Sequence, residues 1–147
     1  MPDHPFLDTN LFLRHLTQDD PVRSRRATAL WRRVAGGAEV VETVDTVVFE
    51  TVFTLQRFYQ VGRSDIRDGV LPLLLLRGVR LANKRRYLRA FDLYVSMPAL
   101  SFADSFHIAV MEQRGLTRMV SFDRAFSRIP TLKRMEPSDT GELTAQP

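Results

Sequence analysis

The 147-residue chain contains no cysteine, which excludes disulfides, thiolate-held metals and thiol nucleophiles. Any metal it binds must take oxygen or imidazole donors. Lysine is nearly absent too, occurring only at Lys84 and Lys133, so the net charge of +4 and the sequence pI of about 10.1 rest on arginine. Every long apolar stretch is interrupted by charge. The opening Met1-Pro2-Asp3-His4-Pro5 has no basic segment leading into an apolar core. Both absences lead to the expectation of a soluble, cytoplasmic protein without membrane contact.

What is present is 44% apolar residues, enough for one sizeable core at this length. One domain is expected over residues 1–136. Pro137 to Pro147 is polar and aperiodic, and is expected to form a flexible tail. Arginine gathers at Arg23-Ser24-Arg25-Arg26, at Arg32-Arg33 and at Lys84-Arg85-Arg86 with Arg89. The planar guanidinium fork suits phosphate, which makes a polyanion a candidate partner. Such clusters also read as solvated helix faces paired with neighbouring acids.

Apolar spacing predicts a short strand at Pro5 to Leu7, a helix from Asn10 to Leu16, and a second helix from Val22 to Ala35 ended by Gly36-Gly37. A strand begins at Val40-Val41. Helices follow from Thr46 towards Gly62 and from Ser64 to Leu76, then a strand at Val79 to Leu81. Further helices run from Lys84 to Met97 and from Ser101 to Arg114. A strand at Arg118 to Phe122, a helical turn from Asp123 to Phe126 and a last strand near Thr131 to Arg134 complete the pattern. Alternation of strands and helices predicts an α/β fold, a three-layer α/β/α arrangement around a central parallel sheet. Ligands then bind at the carboxyl ends of the strands.

Four acids, Asp8, Glu50, Asp104 and Asp123, stand beside apolar runs where helices begin, with Asp8 and Asp123 at predicted strand ends. Each aspartate taken singly is explained by capping of exposed backbone N–H groups, and Ser101 with Asp104 has the spacing of a capping box. Glu50 lies among Val47, Val48, Phe49, Val52 and Phe53, where an ionised carboxylate needs a partner, a metal or solvent. Taken together, the four suggest oxygen ligands for a divalent cation. His107 shares a helix face with Asp104 and is expected at the core edge or in solvent rather than on a metal. Arg124 stays unassigned between substrate phosphate and Asp123.

Phe6-Leu7-Asp8-Thr9-Asn10, Val48-Phe49-Glu50-Thr51-Val52, Phe102-Ala103-Asp104-Ser105-Phe106-His107-Ile108-Ala109 and Val120-Ser121-Phe122-Asp123 resemble, in order and spacing, the signatures of PIN-domain nucleases. The resemblance extends to about Glu136 and is greatest to the VapC toxins of type II toxin–antitoxin pairs. It implies a metal-dependent endoribonuclease using Mg²⁺ or Mn²⁺, with Asp8 and Asp104 as principal ligands, Asp123 assisting, and Glu50 orienting water or acting as general base. Thr9, Asn10 and Ser121 match supporting polar positions. The same resemblance implies an RNA substrate, a small antitoxin partner and a homodimer.

Two other readings stand beside it. A haloacid-dehalogenase-type phosphatase also begins with an aspartate after a buried strand, although Asn10 replaces the second aspartate of that motif. A non-catalytic RNA-binding or scaffolding domain of the same fold is the other.

Overall fold

A computed structural model describes residues 3–147; Met1 and Pro2, the start of the segment expected to carry no leader, lie outside the described residues. The helices are α1 (Thr9–Thr17), α2 (Pro21–Ala35), α3 (Asp45–Arg57), α4 (Arg63–Leu74), α5 (Arg86–Ser96) and α6 (Phe102–Gln113). The strands are β1 (Val41–Glu42), β2 (Val79–Arg80), β3 (Arg118–Val120), β4 (Lys133–Pro137) and β5 (Leu143–Ala145), with a 3-10 turn over Arg124–Arg128.

Local chemistry accounts for the helix limits. Asp20 accepts a hydrogen bond from the Arg23 N–H at 3.0 Å, and Pro21 occupies the first helical position of α2, where its missing N–H costs nothing. From there Ser24, Ala27, Trp31 and Val34 recur at three- and four-residue intervals and are buried. α5 buries Tyr87, Ala90, Phe91 and Tyr94 in the same way. Its aromatic rings meet those of α6, with Phe91 and Phe102 4.9 Å apart and Tyr87 and Phe106 5.3 Å apart. The two tyrosine hydroxyls find partners across the domain, Tyr87 donating to Asp45 and Tyr94 to Gln56, each at 2.5 Å. Burial pushes both phenol pKa values up, and for Tyr87 the bond to Asp45 adds to the rise.

The strands pair largely in parallel. Phe6 bridges Glu42, Val41 faces Val79, and β3 runs parallel to β4 with Met119 opposite Arg134. Hydrogen bonding divides them into two groups, Phe6 with β1 and β2, and β3 with β4 and β5. The main core includes Phe12, Trp31, Val48, Val52, Tyr87, Phe91 and Phe102. A smaller cluster of Leu93, Leu100, Ile108, Phe126 and Ile129 lies under the second strand group, and α5 and α6 contribute to both. Gly78 is required for close approach, since a Cβ there would lie 2.9 Å from the Glu39 carbonyl oxygen and 3.0 Å from that of Val34.

The α/β class and parallel pairing agree with the sequence; several boundaries do not. The segment beyond Pro137 is not a loose tail throughout, because β5 pairs antiparallel with β4, Met135 opposite Ala145. Its register is set by backbone pairing to β4, and its residues are exposed, so hydrophobic periodicity carries no signal for it. α3 ends at Arg57, short of Gly62, where Gln60 takes a left-handed conformation with φ 55°. α5 starts at Arg86, after a turn through Lys84. No helix among the described residues is long and apolar enough to cross a membrane.

Candidate active site

Asp8 is exposed at the junction between the Phe6 strand segment and α1. It occupies the N-cap position with extended backbone, φ −84° and ψ 162°, yet makes no side-chain cap hydrogen bond, so its carboxylate is not committed to its own helix. The next residue links α1 to α3. Thr9, only 4% exposed, donates from Oγ1 to Oε2 of Glu50 at 3.0 Å. Glu50 itself is exposed, which answers the question of its partner: solvent on one side and the Thr9 hydroxyl on the other.

Glu50 lines a cavity of about 480 Å³ whose wall also includes Phe49, Phe53, Gln56, Arg57, Ser101 and Phe102. Edge-on packing of Phe49 against Phe102 at 5.3 Å and Phe106 at 4.8 Å holds the helices there. Asp104 lies in the first turn of α6 and forms the expected capping box, accepting from the Ser101 N–H at 3.2 Å while its own N–H donates to Ser101 Oγ at 3.0 Å. Asp123 caps the 3-10 turn, accepting from the Ala125 N–H at 2.9 Å, and its N–H donates to Ser121 Oγ at 3.0 Å. Ile108 of α6 and Phe126 of that turn belong to one buried cluster, which ties the supports of Asp104 and Asp123 together.

Thus Glu50 is joined directly to the start of α1, and Asp104 and Asp123 each serve their own helix start. Among the described residues no three acidic or histidine side chains converge closely enough to enclose an ion. Asn10 is exposed and lines the α1–α2 groove with Arg14, Arg23 and Arg26. His107 is exposed, as expected. The donor set fits a hard dication in its chemistry. It is carboxylate oxygen only, and Mg²⁺ is commonly held by one or two carboxylates with water and substrate phosphate completing the shell.

Arg63 was not discernible as part of this region from its sequence context. Its Nη1 donates to the carbonyls of Tyr94 and Leu100, both at 2.7 Å, and its guanidinium carbon lies 4.3 Å from the Tyr94 ring centroid. It fastens the start of α4 to α5 and to the segment leading into α6 beside the cavity. The basic clusters also separate. Lys84 donates to the carbonyls of Leu76 and Val79, with its pKa lowered by burial and by Arg80, while Arg89 forks onto Glu112. Lys84 and Arg89 are thus engaged within the domain while Arg85 is exposed, and Arg23, Arg25, Arg26, Arg32 and Arg33 are exposed as well.

The PIN domain family model matches residues 6–132, spanning all four acids, and the chain belongs to that family. It is similar to ribonuclease VapC23 of Mycobacterium tuberculosis, 25% identical over 123 residues, covering 83% of this chain and 94% of the relative. The VapC ribonuclease Mb1869c of Mycobacterium bovis is 44% identical over 46 residues, covering 31% of this chain and 35% of the relative. The crystal structure of Mycobacterium tuberculosis VapC20, described as a sarcin–ricin-loop-cleaving toxin, is 25% identical and covers 85% of this chain and 94% of that one. The two superpose with a TM-score of 0.38. The chain is a VapC-like PIN-domain protein. Membership removes the haloacid-dehalogenase alternative.

Proposed function

We propose that this protein is a divalent-metal-dependent endoribonuclease that cleaves RNA phosphodiester bonds and serves as the toxin of a toxin–antitoxin pair in the cytoplasm. The observation that carries this reading is the PIN match across residues 6–132, supported by similarity to a ribonuclease over 83% of the chain. Asp8 and Asp104 would hold Mg²⁺ or Mn²⁺, with Asp123 assisting. Such a cation supplies a Lewis acid that stabilises phosphate charge and lowers the pKa of water. Glu50, oriented by the Thr9 hydroxyl, takes a proton from the attacking water as general base. The Ser121 hydroxyl positions Asp123 by accepting from the Asp123 backbone N–H, and Asn10 lies at the edge towards the arginine-lined α1–α2 groove. A small antitoxin and a second copy of the chain are its protein partners.

The commitment of Asp104 and Asp123 to caps favours a second reading, an RNA-binding PIN domain without cleavage. One experiment separates the two. Total cellular RNA is incubated with purified wild type and Asp104→Asn, each with Mg²⁺, Mn²⁺ or chelator. The nuclease reading expects discrete fragments only from wild type with metal. Equal products from both proteins would remove Asp104 from the site, and RNA binding without products under any metal would favour the binding domain.

A further inference from the structure

Glu50, Phe53 and Arg57 occupy positions three and four residues apart on α3, and all three are exposed, forming one outward edge of a helix whose opposite side buries Val47, Val48, Thr51, Val52 and Leu55. Phe53 is 63% exposed, and the Arg57 guanidinium carbon lies 5.7 Å from its ring centroid. A solitary exposed phenylalanine carries no message by itself. This one borders the 480 Å³ cavity that also contains Glu50 and Gln56.

We propose that Phe53, edged by Arg57, is a stacking platform for an unpaired RNA base adjoining the phosphate presented to Glu50. The proposal rests on the ribonuclease reading and names a positioning residue for it. An aromatic face beside a guanidinium matches what an unpaired nucleotide offers, a π-face and a phosphate. An apolar protein helix laid on the same edge would strip water from Glu50, Gln56 and Arg57 without supplying partners. A nucleotide brings acceptors for Arg57 and polar base edges for Gln56. Stacking is tolerant of base identity, so this platform positions the strand more than it selects its sequence.

The test uses the full chain carrying Asp104→Asn, so that RNA is not consumed, and short single-stranded RNAs with 2-aminopurine placed at successive positions. Phe53→Ala should weaken binding about tenfold, the scale of one lost base–aromatic stack. It should also abolish quenching of the 2-aminopurine at one position, while Phe53→Trp retains both. Arg57→Ala should reduce the salt dependence of binding by about one released counterion. Unchanged affinity and quenching in Phe53→Ala would overturn the platform while leaving the ribonuclease reading intact. So would a change confined to oligomeric state in sedimentation, which would assign the edge to a second copy. Failure of the unsubstituted site to bind any RNA would remove both readings.

Discussion

The Thr9–Glu50 hydrogen bond is the most direct structural tie between separate parts of the candidate site, and its strength can be measured without any assumption about activity. Thr9→Val keeps the side-chain shape and removes the hydroxyl that donates to Glu50. A hydrogen bond to a charged acceptor contributes about 1.5–3 kcal/mol, and exposure of Glu50 brings this below that range because water replaces the lost donor. Thr9→Val should therefore destabilise by about 1 kcal/mol. Glu50→Ala leaves the hydroxyl of the buried Thr9 without its acceptor, and should cost a similar amount. Because each substitution removes the same bond, the double variant should be less destabilised than the sum, with a coupling of about 1 kcal/mol. Urea unfolding of the four proteins at neutral pH measures this, and each kcal/mol should also lower Tm by about 3 °C for a domain of this size. Additive effects, with coupling below about 0.3 kcal/mol, would refute the bond and with it the fixed orientation of Glu50.

Other predictions follow from separate parts of the molecule. Gly78→Ala places a methyl group against two backbone carbonyls that have no flexible end to yield, and should cost about 1–3 kcal/mol in thermal unfolding. Arg63→Ala leaves the carbonyls of Tyr94 and Leu100 without that donor and should cost about 2 kcal/mol. Arg63→Lys should recover only part of this, because an ammonium does not reproduce the guanidinium stacked against the Tyr94 ring. The Tyr59 hydroxyl, with Arg14 and Thr17, holds the Asp19 carboxyl at about 2, below its usual value of 3.8. A depressed folded pKa stabilises above the unfolded value, so this contribution is present above about pH 4 and is lost as pH falls towards 2. In Tyr59→Phe, NMR titration should show the Asp19 pKa moving back up. Glu112 is likewise lowered, first by its bond from Arg89, and Arg89→Ala should raise it; an unchanged titration would show that the fork is not formed in solution.

Much of the candidate site was legible because it is locally encoded. Caps are made within two or three residues, so Ser101 and Asp104 were readable as a reciprocal pair, and Asp123 as the start of a turn. The helical stripes of α2 and α5 were legible for the same reason, since 3.6-residue periodicity is a property of neighbours. Arg63 was not legible: its two carbonyl acceptors lie 31 and 37 residues away. The Lys84 cluster looked like any exposed basic run until the fold turned its ammonium onto two backbone carbonyls and Arg89 onto Glu112.

By itself the sequence determined the succession of strands and helices as far as β4, the caps at Ser101 and Asp123, the α/β class and the placing of acids near element starts, because periodicity and capping act within a turn of chain. Only the tertiary structure decided that Thr9 would hold Glu50 across 41 residues, that Asp8 would leave its own cap unmade, and that the strands would pair in two groups. It also decided that β5 would close onto β4. Those outcomes depend on which backbone and side-chain groups meet after the core has formed, and a buried donor takes whichever acceptor packing brings within reach.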